Sequence, residues 1–331
     1  MQKQSSKIDE LIQQKPLGVV FDLDGTLLSS NCIWESIWEN VLKRLGVEHK
    51  VTEEEMFDPS SVRSFVERYI RQFHLSETNI NPLKKKEAPS LDALPAANAA
   101  FAELTNKIAD MVNEELLPEF KTHASLKSGV RKVLQRFSAA GIPLGVATST
   151  TREMAEVVLS HYGILHYFVE VRSSDQFEHG KPAADIFMRT ATDIVGLSEA
   201  ERPLEKLIEH SRRREQEIIS EKTTQTDTTL SMVPKTFTPS LISTENAMKA
   251  VHILCKQCEQ SLPSSSITSS SKQAIKPLFV CFEDNIASMR VLRNESNVNW
   301  IIGGVLDETF SRSHLEITQT ASFVFSEWTD L

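Results

Sequence analysis

A buried strand that ends on two aspartates constrains the fold of this chain more than any other feature of its sequence. Residues 17–21 form a mostly apolar run of the kind that a strand covered on both faces requires. Asp22 and Asp24 follow, and their side chains share a face of the extended chain because they are two positions apart. Two carboxylates this close repel each other, and a hard divalent ion such as Mg²⁺ relieves that repulsion. Taken alone, the pair is also compatible with a helix cap beside a turn.

Three further segments place polar residues at the end of a predicted strand or in the loop that follows it. One apolar strand stops at a cluster of hydroxyls that begins with Thr148. Lys181 lies in a loop before a predicted helix, and a later apolar strand ends at Glu283 and Asp284. With the first aspartates, these residues supply a nucleophile, a second acid, a hydroxyl donor, a fixed cation and metal ligands. That is the set of groups that phosphoryl transfer needs.

In this order, the four segments resemble the haloacid dehalogenase-like hydrolase superfamily from about Leu17 to Trp328. The strings at 180–187 and 282–284 are similar to the branch that holds β-phosphoglucomutases and small sugar or nucleotide phosphatases. The strings at 179–182 and 321–325 are similar to the pseudouridine-5′-phosphatase group of that branch. The resemblance covers most of the chain outside two polar stretches.

The resemblance implies a role for each of these polar residues. Asp22 would be the nucleophile that forms an aspartyl-phosphate. Asp24 would protonate the leaving oxygen and then deprotonate the attacking water, and its backbone carbonyl would bind Mg²⁺. Thr148 would donate its hydroxyl to the phosphoryl group, and Lys181 would neutralise the charge that the nucleophile shares with the phosphate.

The resemblance also implies a Mg²⁺ site made by acids from two strand ends. The implied residues are Asp22, Asp24, Glu283 and Asp284. Among these, Glu283 would be either a ligand or a neighbour of the ligand Asp284. Purely structural interpretations stay open: Thr148 or a neighbouring hydroxyl as a helix cap, Lys181 as a solvated loop residue, and the last two acids as favourable charges at a helix start.

Strands and helices alternate along much of the chain, which predicts an α/β fold with a doubly wound parallel sheet. The site would lie at the carboxyl ends of its strands. Between the first two segments, apolar residues recur at helical spacing in stretches that stop at Gly46, near Phe73 and at Pro118. Three to four helices inserted there match the α-helical cap of the branch, which would close over the site.

We therefore expect a flexible N-terminus, an interrupted core domain and a helical cap domain. The flexible segment is residues 1–16, and the cap is residues 31–117. Residues 17–30 and 118–331 form the core, which contains a largely polar, partly disordered insertion at 198–276. A phosphorylated regulatory segment is the alternative interpretation of that insertion.

Three departures from the branch bear on activity. Ser288 and Ser296 stand where glycines are usual, and Trp34 stands where phosphoglucomutase-type mutases carry a histidine. The missing histidine favours hydrolysis, so we expect a Mg²⁺-dependent phosphatase of small phosphorylated metabolites, such as a sugar phosphate or a nucleotide-like monophosphate. A phosphosugar mutase is the alternative among enzymes, and a catalytically silent binding protein is the alternative outside them.

Composition limits the partners of the chain. Its net charge of −9 offers no basic field for nucleic acid, so the expected partner is a small phosphorylated metabolite. Residues 1–16 hold no apolar stretch able to act as a signal peptide, and no run reaches the ~20 apolar residues that cross a bilayer. We expect a cytoplasmic monomer without a membrane partner.

The four cysteines do not indicate a disulfide scaffold in a chain of 331 residues. Cys32 and Cys281 lie in apolar contexts and are predicted to be core residues. Cys255 and Cys258 have the spacing of a metal or redox pair, but the helical apolar pattern around them explains both more simply.

Overall fold

The structure is a computed structural model. It describes residues 6–52, 55, 60–76, 94–200, 276–307 and 313–331. The predictions for the polar insertion therefore lie outside the described residues between positions 201 and 275, and so do those for Cys255 and Cys258. Within the described ranges, the helices lack the combination of length and apolar composition that a membrane span requires.

A parallel sheet forms the centre of the structure. The described strands are β1 (Gly18–Phe21), β2 (Leu28–Ser29), β3 (Ser125–Leu126), β4 (Leu144–Thr148), β5 (Phe168–Ser173), β6 (Leu278–Glu283), β7 (Asn299–Val305) and β8 (Phe323–Phe325). Six of them pair in parallel in the order β5-β4-β1-β6-β7-β8. From β1 the order runs outward to β4 and β5 on one side and to β6, β7 and β8 on the other. Doubly wound sheets bind ligands at such a switch point, beyond the carboxyl ends of the strands.

Helices cover both faces of this sheet, so the predicted α/β class is confirmed. The described α-helices are α1 (Lys7–Gln13), α2 (Asn31–Arg44), α3 (Val62–Gln72), α4 (Leu94–His123), α5 (Val130–Ala139), α6 (Arg152–His161), α7 (Asp185–Ala200), α8 (Ile286–Asn294) and α9 (His314–Thr320). Helix α7 packs on β1, β4 and β5, and helix α8 packs on β6 and β7.

Strand β1 lies at the middle of the sheet because its side chains are apolar on both faces. Val19 and Phe21 belong to one buried apolar cluster, and Val20 belongs to a second cluster on the other face. Phe21 stacks on Phe282 of β6 with ring centroids 5.1 Å apart, and it also contacts Trp328 at 5.8 Å. These contacts fix the carboxyl end of β1, where the first aspartate begins.

The N-terminal segment is ordered where we expected flexibility. Residues 7–13 form helix α1, and both Ile8 and Leu11 are fully buried in the core. Asp9 forms an ion pair with Arg136 of α5. The prediction of a flexible segment at 1–16 is therefore wrong for this helix, because its apolar side chains contribute hydrophobic burial that outweighs the entropy of a free end.

Helices α2, α3 and α4 stand between β2 and β3 and pack on one another, as the helical periodicity predicted. Trp38 is buried and stacks on Phe65 at 5.1 Å, so its role is in the packing of these helices. The predicted stop at Pro118 is wrong, because α4 continues to His123. A proline removes one helical hydrogen bond, and here the burial of Phe120 in the following turn offsets that loss.

A two-stranded antiparallel ribbon joins the helical segment to the sheet. Leu28 of β2 pairs with Leu126 of β3, so the chain leaves and re-enters the core at neighbouring points. The sequence did not predict this ribbon, because two residues a strand are too few for an alternating pattern to be recognised. The domain boundaries at 31 and 117 stay a prediction.

The two described cysteines differ in their surroundings. Cys281 is fully buried in β6, in agreement with its predicted place in the core. The same prediction is wrong for Cys32, which is exposed. Helical geometry explains the difference, because Cys32 shares the outward face of α2 with the exposed residues Ser36 and Asn40.

The Phe21→Ala substitution tests the central position of β1. Removing the ring leaves a cavity among aromatic side chains, so we expect the free energy of unfolding to fall by about 3–5 kcal/mol in a urea titration. Leu315→Ala is the control, because Leu315 is 68% exposed and its loss should change stability by less than about 0.5 kcal/mol. Equal effects of the two substitutions would contradict the packing described here.

Candidate active site

The ends of β1 and β6 and the loop after β5 bring a lysine and two acids into direct contact. Lys181 Nζ lies 2.5 Å from Asp22 Oδ1 and 2.8 Å from Glu283 Oε2. All three side chains are at least nine-tenths buried. Lys181 is therefore not a solvated loop residue, and its ammonium bridges two strand ends.

Asp284 completes a group of three acids with Asp22 and Glu283. One carboxylate oxygen from each residue lies within 4.8 Å of the others. The parallel register causes this convergence: Phe21 pairs with Phe282, and the next backbone N–H, that of Asp22, donates to the Phe282 carbonyl at 2.9 Å. The residues that follow these two strands therefore meet at one edge of the sheet.

Burial and mutual repulsion govern the charges in this group. Burial, with a further contribution from the Asp22 charge, raises the pKa of Glu283 to about 7, although the Lys181 ammonium opposes the shift. Burial and the neighbouring carboxylates also raise the pKa of Asp284 well above its ordinary value. Burial alone would lower the pKa of Lys181, but the two carboxylates beside it raise that pKa above its usual range. One ammonium faces three carboxylates, and a divalent cation would balance the remaining charge.

Asp24 points to a different set of partners. Ser30 Oγ donates to its Oδ1 at 2.6 Å, and Thr150 Oγ1 donates to its Oδ2 at 2.8 Å, with the Trp34 side chain close by. Burial, together with the charge of Asp22, raises the pKa of Asp24, while the Ser30 and Thr150 hydroxyls and the Trp34 side chain act in the opposite direction. The side chain is thus held in place beside the acid group without belonging to it.

The Ser30 hydroxyl binds Asp24 instead of capping helix α2. It occupies the N-cap position of α2, where a serine hydroxyl commonly accepts a hydrogen bond from the helix backbone. Its hydroxyl instead donates to the Asp24 carboxylate. The start of α2 is therefore bonded to the segment after β1 and lacks a side-chain cap of its own.

Thr148 is the last residue of β4 and is fully buried beside the site. Its Oγ1 accepts a hydrogen bond from the Thr150 backbone N–H at 3.1 Å, which shapes the loop that carries Thr150 to Asp24. The residue that caps the following helix is Thr151, so the interpretation of Thr148, Ser149 or Thr150 as that cap is wrong.

The Lys181 backbone is fixed to the end of β5. Ser174 Oγ accepts from the Lys181 N–H at 3.1 Å, and this hydroxyl lies 3.3 Å from that of Ser149. A Cβ atom at Gly180 would lie 2.7 Å from the Ser174 Cβ, so only glycine permits this close approach. The loop places the lysine at the acids by direct backbone contact.

Sequence reasoning did not assign a site role to Ser30, Asn31 or Thr150. Asn31 Nδ2 donates to Asp284 Oδ2 at 3.2 Å, so the first turn of α2 contacts both Asp24 and Asp284. No motif marks these residues. The one available signal was their position: Ser30 and Asn31 lie after the loop that carries the first aspartates, and Thr150 belongs to the hydroxyl cluster at the end of β4.

Ser288 fits its position on α8 as a buried residue. Its backbone N–H donates at 3.3 Å to Asn285 Oδ1, which caps the helix. The Ser288 hydroxyl has no hydrogen-bond partner in the part of the chain that the structure describes. The helix after the acids therefore forms normally with a serine at this position.

The fold and the converging acids define a known class of hydrolase. The family model for haloacid dehalogenase-like hydrolases matches residues 19–201, and the chain belongs to that family. This confirms the resemblance on which the residue roles were based.

Phosphatases are among the relatives of this chain. The chain is 25% identical over 174 residues to fructose-1-phosphate phosphatase YqaB of Escherichia coli (strain K12), an alignment that covers 53% of this chain and 78% of the relative. It is 29% identical over 163 residues to validoxylamine A 7′-phosphate phosphatase of Streptomyces hygroscopicus subsp. limoneus, covering 49% and 64%.

Solved structures share the fold. β-Phosphoglucomutase from Clostridium difficile superimposes with a TM-score of 0.52 at 12% identity, over 96% of this chain and 93% of that one. CbbY from Rhodobacter sphaeroides in complex with phosphate gives a TM-score of 0.51 at 15% identity, over 95% of each chain. At these identities the similarity concerns the fold alone.

The Lys181→Met substitution tests the electrostatic balance of the site. It leaves buried carboxylates without their ammonium, so we expect the free energy of unfolding in EDTA to fall by about 3–5 kcal/mol. Lys43→Met, on the exposed side of α2, is the matched control and should have little effect. An unchanged stability of the Lys181 variant would contradict the bridging role of the ammonium.

Proposed function

We propose that this protein is a Mg²⁺-dependent phosphatase of small phosphorylated metabolites that works through an aspartyl-phosphate on Asp22. The observation that carries the proposal is the buried contact of Asp22 with Lys181, beside Glu283 and Asp284, with Asp24 held nearby by the Ser30 and Thr150 hydroxyls. A nucleophile, a fixed cation, a metal-binding acid group and a positioned acid are then present in one place.

Asp22 is the best candidate for the nucleophile because it lies at the end of the central strand and contacts the Lys181 ammonium. A carboxylate that approaches a phosphate dianion is repelled, and Lys181 reduces that repulsion along the path of attack. In the first step, an Asp22 oxygen bonds to phosphorus and the ester oxygen leaves. In the second step, water attacks the same phosphorus, and the carboxylate is regenerated with release of phosphate.

Asp24 would handle the proton in both steps. It gives a proton to the leaving alcohol oxygen and later removes one from the attacking water. Its raised pKa favours retention of the proton before the first step. The hydroxyls of Ser30 and Thr150 can each rotate to donate or accept, so they can stay bonded to either protonation state.

The residues present fit a Mg²⁺ site. Asp22 and Asp284 would be the carboxylate ligands, and the Asp24 backbone carbonyl would be the further ligand that the family pattern implies. Glu283 is less suited to direct ligation, because Lys181 and the Asn285 N–H already occupy its two oxygens. When bound, Mg²⁺ neutralises charge on the phosphoryl oxygens and orients them for in-line attack.

We further propose that residues 31–117 act as a cap domain over a core made of 17–30 and 118–331. Support comes from helix α2, whose first turn reaches the site through Ser30, Asn31 and Trp34. A helical segment held at the mouth of the site can exclude water and contact the group that carries the phosphate.

The substrate would be a phosphate monoester of a small metabolite. The two relatives described above are named as phosphatases of fructose 1-phosphate and of validoxylamine A 7′-phosphate, both small phosphorylated compounds. Hydrolysis is favoured over mutase chemistry because Trp34 occupies the position of the mutase histidine. The net charge of −9 argues against a nucleic-acid substrate. A cytoplasmic location and a monomeric state stay predictions.

The proposal predicts that Asp22→Asn abolishes turnover. We would measure phosphate release from sugar phosphates, nucleoside monophosphates and pseudouridine 5′-phosphate, with Mg²⁺ and with EDTA. The wild-type chain should release phosphate from at least one compound only when Mg²⁺ is present. The matched control is Asp110→Asn on the exposed side of α4, which should retain full activity. Activity of the Asp22 variant near that of the wild type would refute a covalent intermediate on Asp22.

The role of Asp24 predicts a different kinetic signature. With p-nitrophenyl phosphate, whose leaving group needs no proton, Asp24→Asn should release about one equivalent of p-nitrophenol rapidly. Turnover should then be about 10²–10⁴ times slower than in the wild type, because water attack lacks its base. Steady turnover of this variant at the wild-type rate would exclude Asp24 as the general base.

A further inference from the structure

Asn31, the first residue of helix α2, contacts an acid at the other end of the chain. Its side-chain Nδ2 donates to Asp284 Oδ2 at 3.2 Å, across 253 positions of sequence. Asn31 is only 8% exposed although it begins a surface helix. Neither a helix signal nor the acid motif accounts for a buried carboxamide at this position.

Gly25 makes the contact possible. A Cβ atom at position 25 would lie 2.0 Å from Asp284 Oδ2 and 2.4 Å from Asn31 Nδ2. The backbone of Gly25 also has a φ of +76°, which L side chains rarely adopt. The missing side chain thus leaves the space in which the carboxamide meets the carboxylate.

The chemistry of the carboxamide suits a supporting role at a metal carboxylate. The Asn31 NH₂ group is a donor without a lone pair for a cation, so it orients Asp284 without competing for the ion. It is also neutral and adds no charge to the group formed by Asp22, Glu283 and Asp284. Within the described residues, the other oxygen of Asp284, Oδ1, has only a long contact of 3.5 Å to Thr26 Oγ1, so it is the better placed oxygen for ligation.

We propose that Asn31 is a positioning residue of the Mg²⁺ site, which holds Asp284 in the orientation that ligation requires. The inference rests on the proposed function, because it assumes that Asp284 binds Mg²⁺. It also couples Mg²⁺ binding to the helical segment between β2 and β3, because Asn31 belongs to that segment and contacts Asp284. The acids alone do not provide such a coupling. Because such coupling is reciprocal, Mg²⁺ would strengthen the attachment of the first turn of α2 to the sheet.

The test compares Mg²⁺ binding by the full chain and by Asn31→Ala, measured by isothermal titration calorimetry without substrate. Loss of a hydrogen bond that orients a metal ligand typically weakens metal binding about 10-fold or more, and we expect a rise in Kd of that size. Asn40→Ala is the matched control, because Asn40 lies on the exposed face of the same helix. Its Kd should equal that of the wild type.

Hydrogen exchange supplies a second readout that a purely structural role of Asn31 would not change. In the wild type, Mg²⁺ should slow exchange of the amides in the first turn of α2. In Asn31→Ala, the ion should bind more weakly, and a saturating concentration should leave those amides unprotected. If Asn31→Ala fails to fold, Asn31→Leu fills a similar volume without a donor and takes its place.

The outcomes separate this inference from the proposed function. A wild-type chain that binds no Mg²⁺ would overturn both. A wild-type chain that binds Mg²⁺, with a Kd for Asn31→Ala within twofold of it, would overturn the role of Asn31 and leave the metal site intact. Equal weakening by Asn31→Ala and Asn40→Ala would assign the effect to the helix as a whole and would also overturn that role.

Discussion

The contact between the Lys181 ammonium and the Asp22 carboxylate is the interaction on which the rest of the site depends. The parallel register of β1 and β6 forces acids together at a dry sheet edge, where their repulsion is poorly screened. A cation fixed by the chain reduces that repulsion and stabilises the arrangement. The loop after β5 meets this condition through the Ser174 hydroxyl and the close approach of Gly180, which together deliver the lysine to the acids.

Much of this architecture could be predicted from local sequence. Apolar runs identified the central strands, and parallel strands end at one edge of a sheet, so Asp22, Thr148 and Asp284 could be assigned to one region before any coordinates were known. The helical spacing of apolar residues likewise predicted α2 and α3 to within a few residues. The order of the polar segments along the chain supported the family resemblance, which no individual motif would have established.

The remainder depends on contacts between distant parts of the chain. Helix α1 is ordered because Ile8 and Leu11 find a core built by later residues, and no local pattern reveals that core. Helix α4 passes Pro118 because Phe120 is buried beyond it. In the sequence, nothing distinguishes Asn31 from other residues at helix starts, and its contact with Asp284 is visible only in the folded chain. In each case tertiary packing overrides a correct local preference.

The hydroxyl of Ser30 has one further consequence. Ser30 occupies the N-cap position of α2, but its hydroxyl donates to Asp24. The backbone N–H groups at the helix start therefore lose their usual serine acceptor, at a cost of about 1 kcal/mol. An aspartate there would suit the helix dipole but would set a new negative charge against Asp24. Stability of α2 and positioning of Asp24 therefore favour different residues at position 30. Variants selected only for thermal stability would tend to lose the hydrogen bond that orients Asp24.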